Sequence, residues 1–542
     1  MNNVRPSTPG RWALSRWPAH LALLALLAPL SALWAEDDGA DAELVETRTE
    51  VPRLKAPAPH ELKGGVVEVE LSQYAGYAGL VAANGGLEPN EQSVFFKKHG
   101  FKVKLTLSEE ESWSALNSGR MAASATTVDV LAVYGRQFQV VIPALIGFSR
   151  GADGIVVRND VKRINDLKGK VLATAQFTEA DFFIRYLAQE AALPIALLPD
   201  LATKPDPTKL NLVFCADGFA AGDLFLKDLK AGRNRLAGCV TWAPKTTEVA
   251  EESGGKAHVL ATNRNLLIVA DVLIVNKGFA DAHADMVAGL VDGLLAGNAM
   301  VRADATPHLP VIAKAFGWTP EEARSELGKV HLANLPENQA FFAGTIDSAG
   351  SYGGIFESAV QAYGKELVPS PAPPERFVAP KALEAAAAGG AYKDQKPLLV
   401  PLASGGGPAV EGDPLLSKDI RFHFQPNSHK LDMSDPENGK RLESIKKLLQ
   451  VSPGSMVLMR GHVDNAKIEE FRRQGGEALV RKQALGAMQL SKDRAAEIAS
   501  LLSATFGVDK ARVETVGRGW EEPLGTDSAE NRRVEVQWFT LE

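Results

Sequence analysis

Two hydrophobic periods alternate along this chain. Val66-Val-Glu-Val-Glu-Leu71 has the two-residue period of a strand. Phe95-Phe-Lys-Lys-His-Gly-Phe-Lys-Val-Lys-Leu105 reads as a helix end, a glycine cap and a second strand. Trp113 to Met121 predicts a short helix stopped by glycine, and Ala122 to Val128 a strand running into a turn. Strands alternating with helices predict an α/β domain with a largely parallel sheet. Ala280–Ala299 has one strong apolar face, and Thr319-Pro-Glu-Glu-Ala-Arg324 predicts a helix start with Thr319 as cap. Glu337 to Tyr363 holds two more helical stretches. Further on, Ile420-Arg-Phe-His-Phe424 predicts a strand and Gly439 to Leu449 a helix. Val457-Leu-Met-Arg460 predicts another strand, and Leu490, Ile498, Leu501 and Leu502 fall on one helical face.

Between these patterned regions the chain changes character. Residues 36–64 are acidic, then proline-containing, and predict a linker. Residues 369–414 run from Pro369-Ser-Pro-Ala-Pro-Pro374 through alanine and glycine clusters to Gly405-Gly-Gly-Pro408, and predict a semi-flexible linker. At the N-terminus, Arg5, Arg11 and Arg16 precede the apolar run Leu21–Leu30 and the small-residue end Ser31-Ala-Leu-Trp-Ala35. That order predicts a secretory signal over 1–35, with an uncleaved anchor as the alternative.

Composition narrows the class. At 542 residues, with 45% apolar and 23% charged positions, the chain is long enough for two or three ordinary folded domains. A net charge of −7 gives no reason to expect nucleic acid as a partner. Cys215 and Cys239, the two cysteines, are compatible with one bridge or with two buried thiols. No phosphate loop, nucleophile elbow or metal-spaced His/Cys cluster stands out. No cofactor, no metal and no catalytic residue set is therefore expected.

The most specific pattern lies in the last quarter. Gly461-His-Val-Asp464 ends a strand, Leu490-Ser-Lys-Asp-Arg-Ala495 opens a helix, Gly517-Arg-Gly519 makes a turn, and Asn531-Arg-Arg-Val-Glu535 enters a final strand. This order resembles the OmpA-like peptidoglycan-binding domain, a small α+β fold. A carboxylate at a strand end and a guanidinium at a helix start can hold a zwitterion by its two ends. The resemblance implies that Asp464 takes the amine and Arg494 the carboxylate of the diamino acid in the peptidoglycan stem peptide, with His462 and Asn465 beside them. The plain alternative is an internal Asp–Arg salt bridge. Arg532 and Arg533 are expected to be structural. Two departures stand out: Asp464 and Arg494 are thirty positions apart, longer than the family's usual interval, and Ala487 replaces a frequent Asn. The extra residues, about 469–487, are expected to form a helical excursion.

A second resemblance covers roughly Val66 to Glu366. Ile164-Asn-Asp-Leu-Lys-Gly-Lys170, Ser72–Gly79 and Leu116-Asn-Ser-Gly-Arg120 resemble periplasmic solute-binding proteins of the nitrate, sulfonate and thiamine-precursor type. The fold implied is a two-lobed periplasmic-binding-protein fold over 65–368, with lobe one at 65–150 and 272–368 and lobe two at 151–271. The OmpA-like domain would follow at 415–542. Loops at strand ends then supply candidate ligand contacts: Ser72, Gln73, Tyr74 and Tyr77; Thr126 and Thr127; Thr174 and Gln176; Asp217; and Trp242. The hydroxyls suit an anion such as phosphate, nitrate or a sulfonate, whereas Asp217 and the aromatics suit an amine. Each of these residues is as compatible with a loop cap or a packed ring.

The leading expectation is a non-enzymatic, exported solute-binding protein of the periplasm and cell envelope. It would capture a small polar solute and be held to peptidoglycan, with an ABC permease or another envelope protein as a further partner. The alternatives are an envelope interaction protein whose two-lobed domain docks another protein, and an enzyme on the binding-protein fold.

Overall fold

A computed structural model describes residues 43–108, 112–346, 350–399, 414–425, 428–452 and 454–539. The expected signal or anchor at 1–35 lies outside the described residues, as do 36–42 and 400–413 of the expected linkers.

The chain lays down β1 (Val66–Leu71), β2 (Lys102–Leu107), β3 (Ala123–Thr127) and β4 (Val140–Ser149), and then crosses to a second sheet. That sheet is built from β5 (Asp153–Arg158), β6 (Val171–Ala175), β7 (Ile195–Leu197), β8 (Leu210–Cys215), β9 (Gly238–Trp242) and β10 (Ala257–Thr262). The chain returns with β11 (Ala270–Asn276) and β12 (Val330–Leu332). The two sheets have six strands each, in the orders β12-β4-β11-β3-β1-β2 and β10-β5-β9-β6-β8-β7. In the first, β1 pairs in parallel with β2 and β3, while β11 runs antiparallel to β3 and β4. In the second, β6, β7, β8 and β9 are joined in parallel, and β5 runs antiparallel to β9 and β10. This is the two-lobed periplasmic-binding-protein fold, with crossings at 150–152 and 263–269.

The local rules read from sequence account for many element ends. His99 hands over to Gly100 at φ 76, so the helix Val94–His99 ends and β2 begins. Thr319 accepts from Glu322 N, and Glu322 answers with a bond to Thr319 N, which closes a capping box on Pro320–Leu327. The predicted helix at 280–299 becomes two, Lys277–Ala282 and Ala284–Ala303, broken at His283.

Both expected linkers need correction where they are described. Residues 43–63 form a strap across both lobes. Val45 N donates to Phe214 O and Thr47 Oγ1 to Leu198 O in lobe two. Farther on, Gln137 accepts from Leu54 N and donates to Pro52 O, while Asn117 donates to Lys55 O in lobe one. Residues 370–399 lie against lobe one, with Val378 bridged to Ile142 and a helix at Lys381–Ala388. The buried Glu337 carboxylate accepts from Leu398 N and Leu399 N, and Tyr392 donates to Asp292 at 2.7 Å. Composition suggested freedom, but these backbone groups are satisfied by side chains of the sheet domain.

The third unit is a four-stranded sheet of β13 (Leu416–Ile420), β14 (Met456–Gly461), β15 (Val513–Gly517) and β16 (Val534–Phe539), in the order β13-β16-β14-β15. Its helices are Pro436–Val451 and Ile468–Phe506. The expected strand at Ile420–Phe424 ends at Ile420. The extra residues before Leu490 extend the long helix toward its N-terminus, with a break at Gly475 and Gly476, the latter at φ 62. Phe471 of this extension stacks on Trp520 at 6.2 Å.

This small unit is docked on lobe two. Ile164 N donates to Leu415 O, and Leu267 N, in the second crossing, donates to Val451 O at 2.7 Å. Asn165 accepts from Ser417 N and donates to Ser417 O, both at 2.8 Å. Asn165→Ala removes both of the last bonds and leaves the Ser417 peptide unpaired. It should lower stability by about 1–3 kcal/mol, measured by urea unfolding of the full chain. An unchanged midpoint would mean that the docking does not depend on this pair.

Candidate functional site

Between the lobes, strand ends and helix starts from both sheets enclose a cavity. Lobe one contributes Glu70, Ser72, Tyr74, Tyr77, Ser108, Trp113, Ser124, Thr126, Thr127 and Asp271, and lobe two contributes Asp153, Thr178, Glu179, Asp217 and Trp242. The cavity offers about 50 Å³ to the centres of water-sized groups, where one water takes roughly 10–15 Å³. In this closed arrangement it suits a ligand of a few heavy atoms.

The local structure explains how these groups arrive. The β11 register sets Asp271 opposite Thr127 and Val272 opposite Thr126. The turn after β6 puts Phe177 at φ 66, a strained conformation for a bulky residue. Its N–H is held by Asp181 Oδ2, and Asp181 is in turn paired with Arg185 at 2.6 Å. The helix Gly218–Lys230 begins with a glycine because the Trp242 ring lies over it; a Cβ on Gly218 would meet that ring at 2.3 Å.

Of the residues singled out in sequence, Ser72, Tyr74, Tyr77, Thr126, Thr127, Asp217 and Trp242 line this cavity. Gln73, Thr174 and Gln176 do not. Gln73 donates to Phe316 O, Thr174 to Val240 O, and Gln176 exchanges two bonds with the Arg48 backbone of the strap. Thr178 does not cap its helix; its hydroxyl donates to Ala175 O.

The residues missed in sequence are mostly acids. Glu70 ends β1, Asp153 opens β5, and Asp271 sits near the start of β11. A charge inside an otherwise apolar strand at a lobe crossing, as in Val269-Ala-Asp-Val-Leu-Ile-Val275, was the available signal. Burial pushes the Asp271 carboxyl well above the usual range, and the neighbouring Asp153 adds to this; the Tyr77 hydroxyl, 3.1 Å away, opposes it. Burial raises Asp153 to about 6 against hydrogen bonds that favour its charged form, including one from Asn263. Burial also raises Glu70. Thr126 Oγ1, Trp242 Nε1 and Asp271 Oδ2 are buried without a protein hydrogen-bond partner.

Asp129, in the first turn of Val128–Tyr134, is 1% exposed, and burial lifts its carboxyl to about 7, with Asp153 and Asp181 adding repulsion.

The C-terminal unit carries a second site. A groove of about 420 Å³ is lined by Arg421, Phe422, His423, Phe424, His462, Arg494, Ala529, Arg532 and Arg533. Arg494 lies over the Phe424 ring at 4.7 Å, and its Nε has no protein partner. Burial and the nearby Arg532 push its guanidinium below its ordinary value, while Asp464 acts the other way. Asp464 pairs with Arg532 at 3.3 Å. Arg532 and Arg533 thus both stand at the groove, and Arg533 is also largely buried and tied to Asp419 at 2.8 Å. His462 is buried, with Nε2 3.7 Å from Glu535. Asn465 lies beside Asn531, which donates to it at 3.5 Å.

Residues 423–537 match the OmpA family. The match contains the strand end, the helix start and the final strand that frame this groove. No curated protein sequence matches the chain. Among solved structures, the ligand-binding component of an ABC-type import system from Staphylococcus aureus, solved with zinc bound, is 14% identical over 59% of this chain and 98% of its own, at a TM-score of 0.43. The periplasmic aliphatic sulphonate-binding protein SsuA from Escherichia coli is 15% identical over 59% and 97%, at 0.43. The nitrate-binding protein NrtA from Synechocystis PCC 6803 is 13% identical over 64% and 92%, at 0.43. The chemistry of the present cleft rests on its own side chains.

One consequence of the Asp129 environment is measurable. A carboxyl whose folded value lies above its unfolded one binds its proton more tightly when folded. Its effect on stability is therefore most favourable at low pH, and is lost as pH rises from about 4 through about 7. Asp129→Asn should be more stable than the parent at pH 8, by on the order of 2 kcal/mol, and nearly equal at pH 4. Urea unfolding at the two pH values reads the difference; equal stability at pH 8 would contradict a costly buried charge.

Proposed function

We propose that this is an exported solute-binding protein of the cell envelope, held to peptidoglycan by its OmpA-type domain. The observation that carries the receptor half is the closed interlobe cavity. Both lobes contribute to its wall, and buried polar atoms there have no protein partner. A fold does not leave such groups in a dry wall without cost, and a polar solute would satisfy them. Specificity follows from the same groups, because a wrong solute leaves them unpaired. In this reading the cleft binds and releases without turnover.

The tether half rests on the C-terminal groove. Arg494 presents a guanidinium that Phe424 holds flat and that lacks a full set of partners, which suits a carboxylate. Asp464, in the loop after β14, is held by Arg532 and suits an ammonium. A diamino acid of the stem peptide would exchange the Asp464–Arg532 pair for its own amine. The extension stacked through Phe471 and Trp520 belongs to the same unit.

Asp464→Ala and Arg494→Ala should each reduce co-sedimentation of the full chain with purified cell wall at least tenfold, while the melting temperature stays near the parent's. Arg532→Ala should reduce it less. Full retention in both of the first two variants would remove the tether.

A further inference from the structure

We infer that the interlobe cleft selects a small organic cation, a protonated alkyl amine or diamine, and rejects the anions that its hydroxyls also suggest. This deepens the receptor reading and rests on it.

Among the described residues the lining carries Glu70, Asp153, Glu179, Asp217 and Asp271, and no lysine, arginine or histidine. An anion would meet this field without a counter-charge. Helix starts could supply one, but carboxylates of the chain occupy three of them. Asp129 lies in the first turn of Val128–Tyr134, and Glu179 and Asp181 lie in that of Glu179–Glu190. Asp217 caps Gly218–Lys230, with Oδ1 accepting from Ala220 N at 2.8 Å. The positive ends of these three helices are used internally here.

The walls point the same way. Tyr74, Tyr77, Trp113 and Trp242 are each under 8% exposed and face one cavity with the acids. Aromatic faces and carboxylates together recognise ammonium groups. The buried Asp271 Oδ2 makes no direct hydrogen bond in the protein, and the nearby Tyr74 hydroxyl favours its charged form, as an acceptor for an ammonium requires. The acids form two poles. Glu70 accepts from Ser112 N and Ser124 Oγ, each at 3.4 Å, whereas Asp271 and Asp153 line the cavity from opposite lobes and repel each other. A bare metal ion fits less well. Among the described residues, the cleft acids do not gather three ligand atoms within 4.8 Å of one another; that grouping occurs only at His462, Glu522 and Glu535 in the other unit.

The test uses the full chain, stripped of carried-over solute by unfolding and refolding, and checked for folding by circular dichroism. Melting temperature and titration calorimetry at pH 7.5 are read with ethanolamine, putrescine and choline, with nitrate, phosphate and ethanesulfonate, and with calcium and zinc. At least one amine should raise the melting temperature and bind, while the anions do neither. Asp271→Asn and Glu70→Gln should weaken that amine at least tenfold. Affinity should also fall at pH 5.5, below the value of about 6 to which burial raises Asp153. A response to an anion or a metal ion alone would overturn the cation assignment and leave the receptor standing. Silence to every compound from folded protein would overturn both. Amine binding that neither substitution weakens would place the amine outside the cleft and overturn the assignment.

Discussion

The return of β11 into the first sheet is the constraint on which the rest depends. It inserts between β3 and β4, pairs antiparallel with both, and closes lobe one around a chain that has already built lobe two. Its register sets Asp271 against Thr127 and so fixes one wall of the cleft. A slip of one residue would turn every side chain of this buried strand to the other face. The apolar residues of β11, fully buried from Val272 to Val275, anchor the strand between its two neighbours.

Additional ties connect the three units. The strap at 43–63 bonds to both lobes, residues 370–399 lie along lobe one, and the C-terminal unit meets lobe two at Ile164, Asn165 and the second crossing. Most are hydrogen bonds from backbone groups to side-chain amides or carboxylates, such as Gln137, Asn117, Glu337 and Asn165. They order segments that have little apolar surface of their own.

This explains what the sequence made legible. Short-range chemistry was readable: the Gly100 stop, the Thr319 cap and the ordered motifs around Asp464 and Arg494. The two lobes followed from strand–helix alternation and a family resemblance. The straps were hidden because proline, alanine and glycine describe a segment's own preferences and not the partners that satisfy it. The acidic cleft was hidden for a related reason. Glu70, Asp153 and Asp271 are separated by whole lobes in sequence and converge only through sheet register. Hydroxyls in loops were visible one by one, and they suggested an anion because the opposing field was not. Arg532 was set aside as structural, and its place at the groove depends on the bend between Asn531 and β16.

The crossings carry one more implication. Asp153 opens lobe two immediately after the first crossing, and Asp271 follows the second, so the mutual repulsion of these acids acts between the two lobes. It is a spring set at the hinge, and a cationic solute would be the catch that holds it closed. A proton can serve as that catch too. Protonation of either acid would relax the same repulsion without any cargo.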